Sequence, residues 1–191
     1  MADGNGGSIA SQVDILNNIA SNMLPVQHLI TGAAYLLGCV FAFKAIYCLK
    51  VYGESKTMMS GNTSIKEPLI YMFVAVIFIY FPTALGVFLT TTFGKNIGSS
   101  ILQYAPVDSK NEALNTLFGN GSSVGRPLTL IIQTIGGIAF IRGWVLIAKS
   151  ASQGQPPGGT GKGLVHVFGG ILAMNIVQTI IIINNTLYGT G

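Results

Sequence analysis

The sequence predicts an all-α, polytopic membrane protein with about four transmembrane helices and an N-terminal amphipathic helix. Three observations carry that prediction. Only 8% of the 191 residues are charged and 50% are hydrophobic, whereas a soluble domain is about 25% charged. The mean hydropathy is +0.59. Four apolar blocks each reach the roughly 20 residues a helix needs to cross a bilayer, and none alternates as the ~10-residue strands of a membrane barrel do. The length suits one domain, so residues 1–191 read as a single integral membrane unit.

The elements follow in order. Met1–Gly7 carries Asp3 and no Lys or Arg, so no secretory signal with a positive n-region is expected. In Ser8–Leu24, Ile9, Val13, Leu16, Ile19, Ala20, Met23 and Leu24 recur at helical spacing, with Asp14, Asn17, Asn18, Ser21 and Asn22 on the other face. That pattern is an amphipathic helix. It lacks the basic face of a lipid-surface helix, which favours contact with protein, and Pro25 marks its end. The four spans cover about 26–49, 68–93, 127–148 and 163–188. The first holds one charge, Lys44, and the third holds Arg142. The second has none, and Pro82 in its middle implies a kink with a freed carbonyl near Phe78. The fourth carries Asn175, Gln178, Asn184 and Asn185, which suit interhelical hydrogen bonds or a wet cavity. Glu67-Pro68 reads as a helix start. Ser109-Lys110-Asn111-Glu112 matches a capping box, which predicts a short outer-face helix over about 110–118 that Gly119 ends.

Charge sets the threading. Lys50, Lys56 and Lys66 lie in the first loop, and Lys149 and Lys162 in the third. The positive-inside rule places both loops in the cytoplasm and both termini in the periplasm. Lys44 and Arg142 lie near that same face. They read either as snorkelling side chains or as charged contacts with an ion path or a partner's span. Small residues at four-residue spacing (Ala34, Gly38, Ala42; Ala139, Gly143; Gly169, Ala173) let helices approach closely, within the chain or in a homo-oligomer.

Several classes are excluded on chemistry. A net charge of +4 without a dense Lys/Arg run gives no basis for direct nucleic-acid binding. Cys39 and Cys48 are about 13 Å apart along a helix, beyond disulfide reach. His28 and His166 have no Cys or carboxylate at ligand spacing, so neither a metal nor another cofactor is expected. No acidic residue falls inside a span, and no nucleophile elbow occurs. The run Pro156-Pro157-Gly158-Gly159-Thr160-Gly161-Lys162-Gly163 departs from a phosphate-binding loop at both ends, with Pro156 for its first glycine and Gly163 for its Ser/Thr. Its composition is that of a cytoplasmic docking loop, for which Pro156, Pro157, Gly158, Gly159 and Lys162 are the candidate residues. An enzyme is not expected.

The stretches KVYGESKTMMS (50–60), IKEPLIYMFVAVIFIYFPTA (65–84), IIQTIGGIAFIRGW (131–144) and SQGQPPGGTGKGLVHVFGG (152–170) together resemble the IcmC/DotE family. These are small inner-membrane proteins of the bacterial Dot/Icm type IVB secretion system, related to conjugation machines. The likeness covers most of the chain. It implies a structural subunit that helps build or line a channel for effector export in virulence, surrounded by other membrane subunits and lipid, with no catalytic residues to carry over. Lys44, Arg142, Asn175 and Gln178 are the candidate contacts, and Pro82 the candidate kink. The rival reading is a small channel or carrier acting alone, with Asn175, Gln178, Asn184 and Pro82 along its path.

Overall fold

A computed structural model describes residues 6–58, 64–94, 112–119, 122–152 and 159–189. All regular structure among them is α-helical. The helices are α1 (Gly6–Thr57), α2 (Lys66–Ile79), α3 (Phe81–Phe93), α4 (Glu112–Phe118), α5 (Gly125–Ser150), α6 (Gly159–Met174) and α7 (Ile176–Tyr188). Two helices, Val13–Thr57 and Gly125–Ser150, are each long and apolar enough to cross a membrane. The number rises to four if each of two bent pairs, α2–α3 and α6–α7, counts as one span.

Helix α1 corrects one expectation. It runs unbroken for 52 residues with Pro25 inside it, so the amphipathic segment 8–24 and the first span 26–49 are one rod about 78 Å long. Proline removes one i→i−4 bond, and the carbonyl it frees belongs to Ser21. Both Ser21 and Pro25 are exposed, so that carbonyl is not stranded in the core and the helix continues.

The second and fourth apolar blocks are each two helices. Helix α2 ends at Ile79, and α3 leaves it at 94°. Tyr80, with φ −102° and ψ 33°, is the joint, and Pro82 sits in the first turn of α3. The expected kink at Pro82 is therefore a full break, for a reason proline supplies: its fixed φ suits the start of a helix better than its middle. Ahead of α2, the Ser64 hydroxyl accepts the Lys66 N–H at 3.2 Å. The helix begins at Lys66, two residues before the start at Pro68 that the sequence suggests, with Pro68 still in the first turn.

The second break falls at Asn175 (φ −120°, ψ 52°), where α7 departs from α6 at 91°. The Thr179 hydroxyl donates to the carbonyls of Leu172 at 2.9 Å and Asn175 at 3.0 Å. The Asn175 carbonyl also accepts the Thr179 N–H at 3.0 Å, so it is the Leu172 carbonyl, at the end of α6, that the hydroxyl satisfies from one turn into the next helix.

Contacts set the direction of each helix. Gln27 of α1 meets Thr134 of α5, while the Lys44 turn of α1 and Ser152 beyond α5 both meet Tyr71. Helices α1 and α5 therefore run parallel. Helix α2 is antiparallel to α1, with Cys48 facing Glu67 and Gly38 facing Ile79, and α6 is antiparallel to α5. The core between them is aromatic. Phe41 stacks on Tyr71 and Phe78, both at 5.9 Å, and Phe73 meets Trp144 at 5.7 Å. The right-angle turn into α3 carries Phe81 to 6.2 Å and Phe88 to 5.6 Å from Phe140 of α5. Such ring pairs add about 0.5–1.5 kcal/mol each beyond their burial. On the far side, α4 closes over the start of α5, and its Phe118 packs with Val177 of α7.

Candidate functional site

Two features carry the chemistry of this chain: a glycine-locked helix pair and a basic end. The helix pair is α5–α6. A Cβ placed on Gly143 would lie 2.7 Å from the Gly163 carbonyl oxygen, and one on Gly163 would lie 2.8 Å from that of Gly143. One heptad further, a Cβ on Gly136 would lie 2.9 Å from the Gly170 oxygen, and one on Gly170 would lie 2.7 Å from that of Gly136. The two backbones therefore touch twice, and no side chain fits at any of the four positions. Close backbone approach through small residues is what holds helices together where lipid removes the hydrophobic drive. Of the small residues singled out in the sequence, Gly38 and Gly143 are used this way. Gly169 faces open space, and its neighbour Gly170 takes the contact instead.

The basic end gathers the C-termini of α1 and α5 and the N-termini of α2 and α6. Lys44, Lys50, Lys56, Lys66, Arg142, Lys149 and Lys162 all lie in this half of the bundle. Lys44 holds its ammonium 4.4 Å from the Tyr71 ring centroid, a cation–π contact worth about 0.5–1 kcal/mol at an exposed site. The Tyr71 hydroxyl hydrogen-bonds the Ser152 hydroxyl, so one aromatic ring joins α1, α2 and the segment after α5. Ser150 and Thr160 clasp the two ends of the intervening loop through their hydroxyls at 2.8 Å. Lys50 pairs with Glu54 at 3.6 Å, and the Cys48 thiol donates weakly to Glu67 at 4.0 Å.

The remaining predicted residues separate. Arg142 is exposed on α5, and its side chain is not hydrogen-bonded or ion-paired to any described residue. Asn175 forms the α6–α7 break, and Gln178 is half-buried in the first turn of α7. Pro82 lies at the other break, so no described contact joins it to Asn175. Gly159 and Lys162 start α6, and the Lys162 carbonyl faces Nδ1 of His166 at 2.8 Å. Pro156, Pro157 and Gly158, like the capping box at Ser109–Asn111, lie outside the described residues. Gly163, the position where a phosphate loop needs a hydroxyl, is packed against α5. Among the described residues, no three His, Cys, Asp or Glu cluster to hold a metal.

The sequence reading missed a polar group at the opposite end. Gln27 donates to the Thr134 hydroxyl at 3.1 Å, and that hydroxyl donates to Leu130 O at 2.8 Å; both side chains are buried. Thr129 Oγ1 and Gln133 Oε1 are buried without a partner. They continue the α5 face that carries Gly136, so they lie where α6 turns away at Asn175. Their spacing of four along a helix was readable, but nothing in the sequence says which side of α5 is covered.

No family model, curated protein or solved structure matches the chain.

Proposed function

We propose that this chain is a non-enzymatic structural subunit of the inner-membrane part of a Dot/Icm-type IVB secretion apparatus, helping to assemble or line the path for effector export. The observation that carries the reading is the resemblance of four stretches in order. Two of them supply the two sides of the glycine seam: Gly136 and Gly143 come from 131–144, and Gly163 and Gly170 from 152–170. The other two supply Lys50, Lys56 and Lys66 of the basic end and the α2–α3 break. Each bent pair counts as one span in this reading, giving four. The basic end faces the cytoplasm under the positive-inside rule, and both termini face the periplasm. Lys44, Arg142 and the loop around Pro156, Pro157 and Lys162 are its contacts with neighbouring subunits and lipid.

Affinity purification of the tagged full chain from detergent-solubilised membranes of a bacterium carrying such a system tests this. Co-purification of secretion subunits is the expected result. Recovery only as a free monomer counts against it. The rival, a channel or carrier acting alone, draws on the buried polar group of Gln27, Thr129, Gln133 and Thr134 beside the Asn175 break, since broken helices with polar linings form transport sites. Solute flux through the purified protein in liposomes would favour that rival.

A further inference from the structure

We infer that the outward face of α5 is a binding site for one anionic phospholipid, with its phosphate held between Arg142 and Lys149 and an acyl chain lying on Ile131, Ile135 and Ile138. Helical geometry puts these five residues on one side. Gly136, Phe140, Gly143 and Ile147 lie on the side packed against α6, and Leu130, Thr134 and Ala148 lie towards α1 and α2. Ile135 is 59% and Ile138 51% exposed, and Arg142 and Lys149 are both exposed. The face is therefore an aliphatic strip that ends in two cations.

The charge on that strip selects its occupant. Among the described residues neither the Arg142 nor the Lys149 side chain has a hydrogen bond, an ion pair or a ring beneath it. The acidic residues at this end of the bundle are Glu54 and Glu67, and each is already engaged, with Lys50 and with Cys48. The connecting stretches 59–63 and 153–158 contain no Asp or Glu. Among the described residues, no carboxylate faces these two cations, which leaves them open to an anion from outside the chain. Arg142 lies about 12 Å before the last residue of α5 and Lys149 about 10.5 Å beyond Arg142, so a phosphate between them is within reach of both extended side chains. The guanidinium suits phosphate through paired donors. A choline headgroup would bring its own cation into a region that already holds seven basic residues. An anionic headgroup such as that of phosphatidylglycerol adds no such repulsion. Basic sites between or beside spans at the cytoplasmic face take anionic lipids in this way.

This assignment deepens the reading of Arg142 as a contact residue, but it rests only on the chain spanning a membrane and not on its belonging to a secretion apparatus. The test uses the purified full chain in detergent, titrated with phosphatidylglycerol or phosphatidylcholine and followed by native mass spectrometry and thermal unfolding. Phosphatidylglycerol is expected to bind and raise the unfolding temperature, and phosphatidylcholine to do neither. R142Q and K149Q should each weaken phosphatidylglycerol binding about fivefold, the equivalent of about 1 kcal/mol per basic residue at an anionic surface. R126Q, at the other end of α5, should bind as the unaltered chain does. Unfolding temperatures without lipid should match across all variants and show that the fold is kept. Equal binding by R142Q and K149Q overturns the assignment, as does an equal stabilisation by inorganic phosphate at matched ionic strength. If R142Q keeps its lipid but loses co-purifying secretion subunits, the site belongs to an acidic protein partner and the lipid is ruled out. Loss of lipid binding with partners retained upholds the assignment whatever becomes of the secretion reading.

Discussion

Gly143 and Gly163 meet backbone to backbone: a Cβ on either would fall within 2.8 Å of the other's carbonyl oxygen. With Gly136 and Gly170 one heptad away, this pairing fixes the register of α5 against α6. Gly143→Ala and Gly170→Ala should each destabilise the purified protein by about 1–3 kcal/mol, the range for forcing a methyl into a filled core. Gly137 and Gly169 lie beside the seam glycines Gly136 and Gly170 in sequence but face open space, and alanine is the test there too. Gly137→Ala and Gly169→Ala should be neutral or stabilise by up to about 1 kcal/mol, because alanine favours the helix. Thermal or denaturant unfolding in detergent reads both pairs, and equal losses from all four would mean the seam is misplaced.

The pattern of small residues made a close helix approach legible, but not which glycines make it. Each seam glycine at 136 and 170 has a glycine neighbour, and only tertiary packing decides which of two adjacent positions faces the partner. The apolar blocks were legible as helices for the same reason that their breaks were not. Hydropathy records how much lipid-compatible surface a segment has, not whether it is straight. Pro82 announced the first break but not its angle. Asn175 announced nothing, since its bend depends on the Thr179 hydroxyl reaching Leu172 O, and an Asn and a Thr four residues apart occur in many straight helices. Pro25 misled in the opposite direction, because an exposed segment tolerates the carbonyl it frees. Gln27 and Thr134 are 107 residues apart, and no local pattern pairs them.

The Gln27–Thr134 hydrogen bond should couple α1 to α5. Gln27→Leu and Thr134→Val each remove it, and a double-mutant cycle should give a coupling of about 0.6 kcal/mol, typical of hydrogen bonds between membrane helices. Unfolding of the two single variants and the double variant measures it. Strict additivity would mean the two side chains do not meet.

The α6–α7 elbow should open when its hydroxyl cap is removed. Thr179→Val keeps the side chain's shape but leaves the Leu172 and Asn175 carbonyls without that donor, a loss of about 1 kcal/mol. Spin labels at the exposed positions Val165 and Ile183 report the angle through their separation. The expected result is a longer and broader distance distribution in Thr179→Val, and a longer one still in Asn175→Leu, which favours one continuous helix. An unchanged distribution would place the origin of the bend elsewhere.

Tyr71 has two separable roles. Tyr71→Phe keeps the ring that Phe41 and Lys44 contact but loses the hydroxyl bonded to Ser152, and should cost about 0.5–1.5 kcal/mol. Tyr71→Leu should cost more, by the stacking and cation–π contributions together. Ser152→Ala should add little to Tyr71→Phe, because both remove the same bond. Unfolding of the three single variants and the Tyr71→Phe/Ser152→Ala pair checks the partition.

Orientation follows from how the helices run. Because α1 and α5 are parallel and α2 and α6 oppose them, the cations of four separate segments collect at one end, and a single topological decision places them all. Under the positive-inside rule that end is expected to be cytoplasmic. With Cys39 and Cys48 replaced by serine, a cysteine at Gly161, exposed at the basic end with open space around it, should be protected from an impermeant maleimide applied to spheroplasts. A cysteine at exposed Ser123, before the start of α5, should react. Both substitutions leave every charge in place, so the labels report the native threading. The reverse pattern would invert the topology and move the lipid site on Arg142 and Lys149 to the outer leaflet.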